Sequence, residues 1–388
     1  MTRHIAVITT SRADWSHLRW PLRELAGRSA VRVSLIATAA HLSHEFGQTV
    51  NEIRREGFEV HAAPESLISS DSDVGMAKTI GVATLSLADT LGALRPDLLL
   101  VIADRYEMLA PAVVALALRI PMAHIEGGEI SLGAIDDAVR HALTKMSHVH
   151  FTATEASRRR VLAMGEEGWR VHRSGAPSLD SLVREGLPED GEFRSTLGEV
   201  PPSGSILVAY HPVTLSDETL EEADAVFAAL EGIGKPLTFA FPNADAGSRR
   251  LVERARELVA RDDRSRLYVN VPSRHWWGLM ARAAVLVGNS SAGLMEAPSV
   301  ALPVVNIGRR QEGRERARNV IDVPPTEDAI IDGLRRALEP AFKASLEGME
   351  NPYGDGDASR RIADLLESVP LGMELLRKKA LEIPFSID

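Results

Sequence analysis

The stretch Leu98-Leu99-Leu100-Val101-Ile102-Ala103-Asp104-Arg105, followed after a helical run by Arg119-Ile120-Pro121-Met122-Ala123-His124-Ile125-Glu126-Gly127-Gly128-Glu129, decides the fold. Two short apolar runs flank a helical pattern near Tyr106–Leu118, and each empties into acidic residues. A strand that is apolar at every position is buried on both faces, which implies a parallel sheet covered by helices on each side. In such sheets ligands bind beyond the carboxyl ends of the strands, where these acids fall.

The same rhythm extends in both directions. Strands are expected at Ile5–Thr10, Val31–Thr38 and His150–Ala153, with helices near Trp15–Ala26, Val74–Leu94, Asp136–Met146 and Glu155–Met164. A polar stretch from Arg184 to Gly204, ending Pro201-Pro202-Ser203-Gly204, has linker character. Alternation then restarts with strands Ile206–Ala209, Leu237–Phe241, Leu267–Val271, Val285–Gly288 and Val304–Ile307. Helices follow near Thr219–Leu230, Ser248–Ala260, His275–Ala283, Ala292–Ser299 and Glu327–Leu338. The expectation is two α/β domains, residues 1–185 and 204–357, around a central cleft, with a helical tail over 358–388, helical from Ala358 to Leu381, returning to the first domain.

The bulk numbers fit this plan. A chain of 388 residues exceeds what one core usually supports, and 45% apolar with 25% charged residues is ordinary globular composition. A net charge of -10 excludes a nucleic-acid binder but not a small anionic ligand held in a local positive pocket. With no cysteine, thiolate chemistry and Cys-ligated metals are excluded. The N-terminal residues enter a strand pattern without a signal-peptide segment, and Met108–Leu118 is too short to span a bilayer, so a cytoplasmic protein is expected.

Each strand end offers chemistry and a plainer alternative. At Ser11-Arg12-Ala13-Asp14 a helix N-terminus could meet an anion, or Ser11 and Asp14 could simply cap it. Asp104 could serve in proton transfer or as a cap. Gly127-Gly128 would let the backbone turn beside a ligand, leaving Glu126 beyond the strand and Asp136 at the next helix start, while Glu129 and Asp137 read as solvated or supporting groups. In the second half Gly288-Asn289-Ser290-Ser291 leads a strand into a helix whose N–H groups and hydroxyls could hold a diphosphate, and Glu296 could take a ribose diol. Tyr210-His211-Pro212, Phe241 to Gly247 and Gly308 to Glu315 lie at neighbouring strand ends. His148 and His150 lack a carboxylate at metal-site spacing and read as structural. Trp276-Trp277 reads as core, or as a surface for a base.

Taken in order, these motifs, with Ile135 to Lys145 and Tyr353-Gly354-Asp355-Gly356, resemble the UDP-N-acetylglucosamine 2-epimerase family across nearly the whole chain. The motif Ser11-Arg12-Ala13-Asp14 resembles its hydrolysing branch. The resemblance implies two Rossmann-like domains as in GT-B glycosyltransferases, with Asp104, Glu126, Asp136 and His211 catalytic. It implies Arg12, Asn243, Ser290, Ser291 and Arg310 around the diphosphate, Glu296 at the ribose, and Val271 and Trp276 at the base. Trp276 departs from the Phe often found there, and Val101-Ile102-Ala103 from a frequent His-Gly.

The implied reaction converts UDP-N-acetylglucosamine to UDP and free N-acetylmannosamine through a 2-acetamidoglucal, without metal or other cofactor, in a homodimer or homotetramer. A nucleotide-linked 2,4-diacetamido-2,4,6-trideoxyglucose, UDP- or GDP-linked, or GDP-N-acetylglucosamine, is the alternative substrate. A GT-B glycosyltransferase would leave the three first-domain carboxylates without a purpose. A catalytically dead sugar-nucleotide sensor should have lost one of them, and all three are present.

Overall fold

The computed structural model describes residues 2–70, 72–131, 135–211, 219–241, 249–269 and 271–379. Contacts divide the chain into two units: the chain up to Glu129 with Ile135–Asp180 and the chain from Gly356 onward, and Ile130–Ala134 with Ser181–Asp355.

Among the described residues the first unit holds a seven-stranded sheet: β1 (Arg3–Thr9), β2 (Val31–Ala37), β3 (Val60–Ala62), β4 (Leu98–Ile102), β5 (Met122–Ile125), β6 (Val149–Thr152) and β7 (Val171–Arg173). The order is β3-β2-β1-β4-β5-β6-β7, with every pair parallel. All five residues of β4 are fully buried, as its unbroken apolar run requires. The second unit holds six parallel strands: β8 (Ile206–Ala209), β9 (Leu237–Phe241), β10 (Arg266–Val269), β11 (Val285–Gly288), β12 (Val304–Ile307) and β13 (Val320–Val323), ordered β10-β9-β8-β11-β12-β13. The α/β class and the two-sheet plan match expectation. The strands missed are the edge strands β3, β7 and β13, each of three or four residues with a polar residue breaking it (Val-His-Ala, Val-His-Arg, Val-Ile-Asp-Val), so they lack the unbroken apolar run that marks a buried strand.

By contacts the main chain passes between the units after Asp180 and again after Asp355, beside the expected bounds of 1–185, 204–357 and 358–388. The stretch 184–204 is packed structure of the second unit, not a bare linker. It forms helix Asp190–Leu197, whose Phe193 is fully buried, and Arg282 donates to Asp190 at 3.0 Å while Arg274 pairs with Glu192.

The tail helix is shorter than expected, Ala358–Ser368, because Pro370 forces Val369 into extended backbone; a short helix, Met373–Leu376, follows. Ile362, Ala363, Leu366 and Leu375 lie in the first unit's core. Buried Asp180 accepts from the N–H groups of Ala358 (3.1 Å) and Ser359 (2.7 Å), satisfying the helix start. Arg170, itself 1% exposed, then fastens the end of the tail, donating to the carbonyls of His148 (3.1 Å), Leu375 (2.8 Å) and Arg377 (2.8 Å).

Arg170→Ala would leave those buried carbonyls without their donor, at a cost of roughly 2–4 kcal/mol. Urea unfolding should show the loss as a lower midpoint, and limited proteolysis should cut the tail near residue 375 sooner; an unchanged midpoint would contradict this role.

Candidate active site

In the first unit the site is built where β4 and β5 end side by side. Both strands turn through a left-handed residue that is not glycine: Ala103 at φ 56° and Glu126 at φ 64°. The turns are held by one more rung of the sheet ladder, Ala103 N–H to the Ile125 carbonyl (2.9 Å) and Glu126 N–H to the Phe151 carbonyl (2.8 Å). His124, fully buried, donates from Nε2 to the Ala103 carbonyl (2.9 Å). A carbonyl can only accept, so the proton is on Nε2; burial lowers the pKa to about 4 and keeps the ring neutral, so Nδ1 accepts from the Thr144 hydroxyl at 3.2 Å.

Glu126 is thereby set just beyond the strand, 8% exposed, with one carboxylate oxygen 2.8 Å from His17 Nδ1. Asp104 pairs with Arg140, whose side chain is 2% exposed and which also donates to the Glu129 carbonyl and to Asp137, each at 3.0 Å. Arg140 stands one turn after Asp136 on helix Ile135–Met146, so a single guanidinium organises the ends of both motifs. Asp136 is half-buried in the first turn of that helix.

The structure sorts the remaining first-unit readings. Glu129 is not solvated: it is 5% exposed and accepts from the Ser157 hydroxyl. The turn at Gly128 (φ 81°) is as expected, but the space a side chain would take is filled by the protein, since a Cβ would lie 2.4 Å from the Ser157 carbonyl oxygen. Asp14 is a cap, buried and accepting from the N–H groups of Thr10 (2.9 Å) and Ser11 (3.1 Å); burial raises its pKa despite these bonds and nearby Arg105. Arg12 pairs with Glu52 at 3.4 Å. His150 does have a carboxylate partner, Glu166, at 3.0 Å. Burial works against ionised Glu166, yet bonds from His150, Lys145 and Lys378 hold its pKa at about 2. No group of three or more acidic or histidine side chains poised for a metal ion occurs among the described residues.

In the second unit a cavity of about 200 Å³ opens at the ends of β8, β9 and β11, lined by Ala209, His211, Ala240, Phe241, Val271, Trp276, Ser290 and Ala292. Four residues singled out from the sequence meet there: His211, Val271, Trp276 and Ser290. Trp276 donates its indole N–H to Glu296 at 2.8 Å. The Ser290 hydroxyl accepts from Ala292 N–H at 3.4 Å, and Ser291 precedes the four-residue helix Ala292–Met295.

The unanticipated organiser is Asn289, which is 1% exposed. Its side chain accepts from the His211 N–H and donates to the His211 carbonyl, both at 2.8 Å, while its own carbonyl accepts from Arg310 and Gln311, both at 2.9 Å. Gly288 (φ 142°) permits this approach, because a Cβ would lie 2.1 Å from the Ala209 carbonyl oxygen. Burial, with Arg310 nearby, pulls His211 down to about 4, so its imidazole is neutral near pH 7. Asn243 lies outside the described residues.

A sequence model of a family described as UDP-N-acetylglucosamine 2-epimerase matches residues 23–367. The chain is 37% identical over 97% of its length, and 99% of the relative's, to the UDP-N,N'-diacetylbacillosamine 2-epimerase (hydrolyzing) of Legionella pneumophila. It is 34% identical, with 87% of each chain covered, to the GDP/UDP-N,N'-diacetylbacillosamine 2-epimerase (hydrolyzing) of Campylobacter jejuni. The chain belongs to the UDP-N-acetylglucosamine 2-epimerase family, in its hydrolysing branch. Its fold is also that of the Methanocaldococcus jannaschii UDP-GlcNAc 2-epimerase crystallised with UDP-GlcNAc and UDP, at a TM-score of 0.77 and 19% identity over 94% of this chain and 99% of that one.

Within this epimerase, His17, Arg140 and Asn289 are the residues that sequence reasoning did not assign. For His17 the available signal was its place one turn after Ala13 on the helix opened by Ser11-Arg12-Ala13-Asp14; for Arg140 it was the helical spacing from Asp136. Asn289 stood inside the quoted motif and was passed over for its hydroxyl neighbours.

Burial also holds His41, His124 and His148 at about 4, alongside His211. These groups are neutral when folded but take up protons when unfolded below about 6.5, so their contribution to stability is present above that pH and is lost as pH falls toward 4. Melting temperature should therefore drop steadily between pH 6.5 and 4. His124→Gln should flatten that slope, and a pH-independent melting temperature in this window would refute the assignment.

Proposed function

We propose that the protein is a hydrolysing 2-epimerase whose substrate is a UDP-linked 2,4-diacetamido-2,4,6-trideoxyglucose, released as UDP and the free 2-epimeric sugar. The observation that carries the substrate choice is the end-to-end likeness to the Legionella pneumophila enzyme of that name. UDP-N-acetylglucosamine, the sugar nucleotide in the family's description, is the second reading; the reaction is the same.

The C2 proton of the substrate is weakly acidic, so departure of UDP from C1 must run ahead and build positive charge on the ring. Removal of the C2 proton with loss of UDP gives a 2-acetamido glycal. Water then adds its hydroxyl to C1 while a proton returns to the opposite face of C2, so the net change is hydrolysis with inversion at C2. In this reading Asp104, Glu126 and Asp136 carry the protons. Arg140 positions Asp104, and His17 positions Glu126.

The second-unit cavity takes the nucleotide. Val271 and Trp276 receive the base, and Glu296, oriented by the Trp276 N–H, receives the ribose. The diphosphate is taken by Ser290, Ser291, Arg310, Arg12 and Asn243. Neutral His211 serves there as a hydrogen-bonding group, not as a cation. Stabilising the leaving diphosphate is the larger electrostatic task, because charge develops there first.

Glu126→Gln and Asp104→Asn should each lower kcat by roughly 100-fold or more, the usual scale for acid–base groups, with UDP affinity kept by calorimetry. Incubation of the enzyme with either sugar nucleotide in D2O, followed by NMR, should show deuterium at C2 of a released free sugar, faster with the diacetamido substrate. Sugar that stays nucleotide-linked would overturn the reading. Asn289→Ala frees the His211 backbone and should weaken UDP binding about tenfold; unchanged affinity would mean that the nucleotide does not bind in this cavity.

A further inference from the structure

The three carboxylates assigned to proton transfer do not stand equally close to water. The Asp104 side chain is 25% exposed and Asp136 is half-buried, whereas only 10% of the Glu126 side chain is exposed. Their partners differ as well. Asp104 is met by Arg140, and a guanidinium keeps its protons at any pH a protein meets. Glu126 is met by His17, whose Nδ1 lies 2.8 Å from a carboxylate oxygen and whose side chain is 24% exposed. The carboxylate most screened from solvent, of the three, is thus the one that carries an imidazole, and that imidazole itself reaches solvent.

Placement of Glu126 does not by itself call for this residue. The main chain there is fixed by the Glu126 N–H to the Phe151 carbonyl, so His17 settles only where the carboxylate points, and any side-chain donor could do that. An imidazole adds the capacity to take and give a proton near neutral pH. It also stands on a rigid base. Helix Arg12–Ala26 opens with a capping box of Ser11 and Asp14, and its Trp15, Leu18 and Leu22 lie in the first unit's core.

The reaction supplies the need for such a group. In one turnover the base gains the C2 proton and the acid loses the proton it returns to the opposite face, so both end in the wrong state for the next substrate. One proton must leave and another must arrive. We propose that His17 is the proton relay between Glu126 and solvent. With Glu126 as the base, its carboxyl passes the proton to Nδ1 and the imidazolium hands a proton to water. With Glu126 as the acid, the same path runs inward from water through the ring to the carboxylate. Water is the only other reactant in either direction. The proposal rests on the reading that Glu126 carries protons; His17 acts through Glu126, between turnovers, and touches no substrate.

His17→Gln and His17→Ala separate relay from placement, because glutamine can still donate to Glu126 but cannot carry a proton. In dilute buffer both variants should lower steady-state kcat at least roughly tenfold, short of the ~100-fold scale of a group that itself meets the substrate, while UDP release in a single turnover keeps the wild-type rate. Added imidazole should restore kcat of His17→Ala toward that of wild type and leave wild type unchanged. A His17→Gln enzyme with wild-type kcat would overturn the proposal. So would variants slowed as much in a single turnover as in steady state and unmoved by imidazole, the signature of lost placement. Undiminished turnover in Glu126→Gln would instead remove the reading beneath the proposal, so the two failures are told apart.

Discussion

The bond from His124 to the Ala103 carbonyl is the constraint on which the first-unit site depends. Ala103 and Glu126 both occupy left-handed backbone that costs a side-chain-bearing residue of order 1–3 kcal/mol, and such turns persist only where their surroundings over-determine them. Here the last rungs of the sheet ladder and a buried imidazole do so. The imidazole is suited to this because burial keeps it neutral, with one ring nitrogen donating and the other accepting. A cation in the same place would need a counter-charge. The outcome is that two neighbouring strands end in turns of the same hand, and each presents a carboxylate, Asp104 and Glu126.

Arg140 continues the arrangement outward. A nearly buried guanidinium bound to Asp104, Asp137 and the Glu129 carbonyl is costly unless its donors are used, and here several are. The second unit solves a similar problem with a neutral group. There Asn289, at the end of β11, clasps the backbone of His211, which lies just beyond the adjacent strand β8. In both units a buried polar side chain at one strand end fixes the main chain beyond its neighbour. The two differ in charge: the first unit places acids beside its clasp, and the second places Arg310.

Much of this was legible in the sequence because it is local. The apolar runs of β4, β5, β8 and β11 announce strands buried on both faces, and glycines, hydroxyls and acids at their ends announce where they stop. What could not be read is non-local. His17 and Glu126 stand 109 positions apart, and His211 and Asn289 78 apart, and only the sheet order brings either pair together. Glu129 misled for the same reason, since an acid after two glycines looks solvated until Ser157 is seen over it. The stretch 184–204 reads as a linker because its one large apolar anchor, Phe193, is isolated among polar residues, and a single anchor leaves no periodicity to detect.

The chemistry explains why the clasps differ. Proton transfer at C2 needs carboxylates held to a fraction of an ångström, because misplacement of a reacting group by one ångström costs orders of magnitude in rate. Under the proposed reaction, that is the demand the strained turns and Arg140 of the first unit would meet. Departure of a diphosphate needs positive potential at a fixed place and tolerates more latitude in any one donor, since several act together. A neutral asparagine suffices to hold that scaffold, and it adds no negative charge beside Arg310, the cation to which the proposed reaction gives the leaving group.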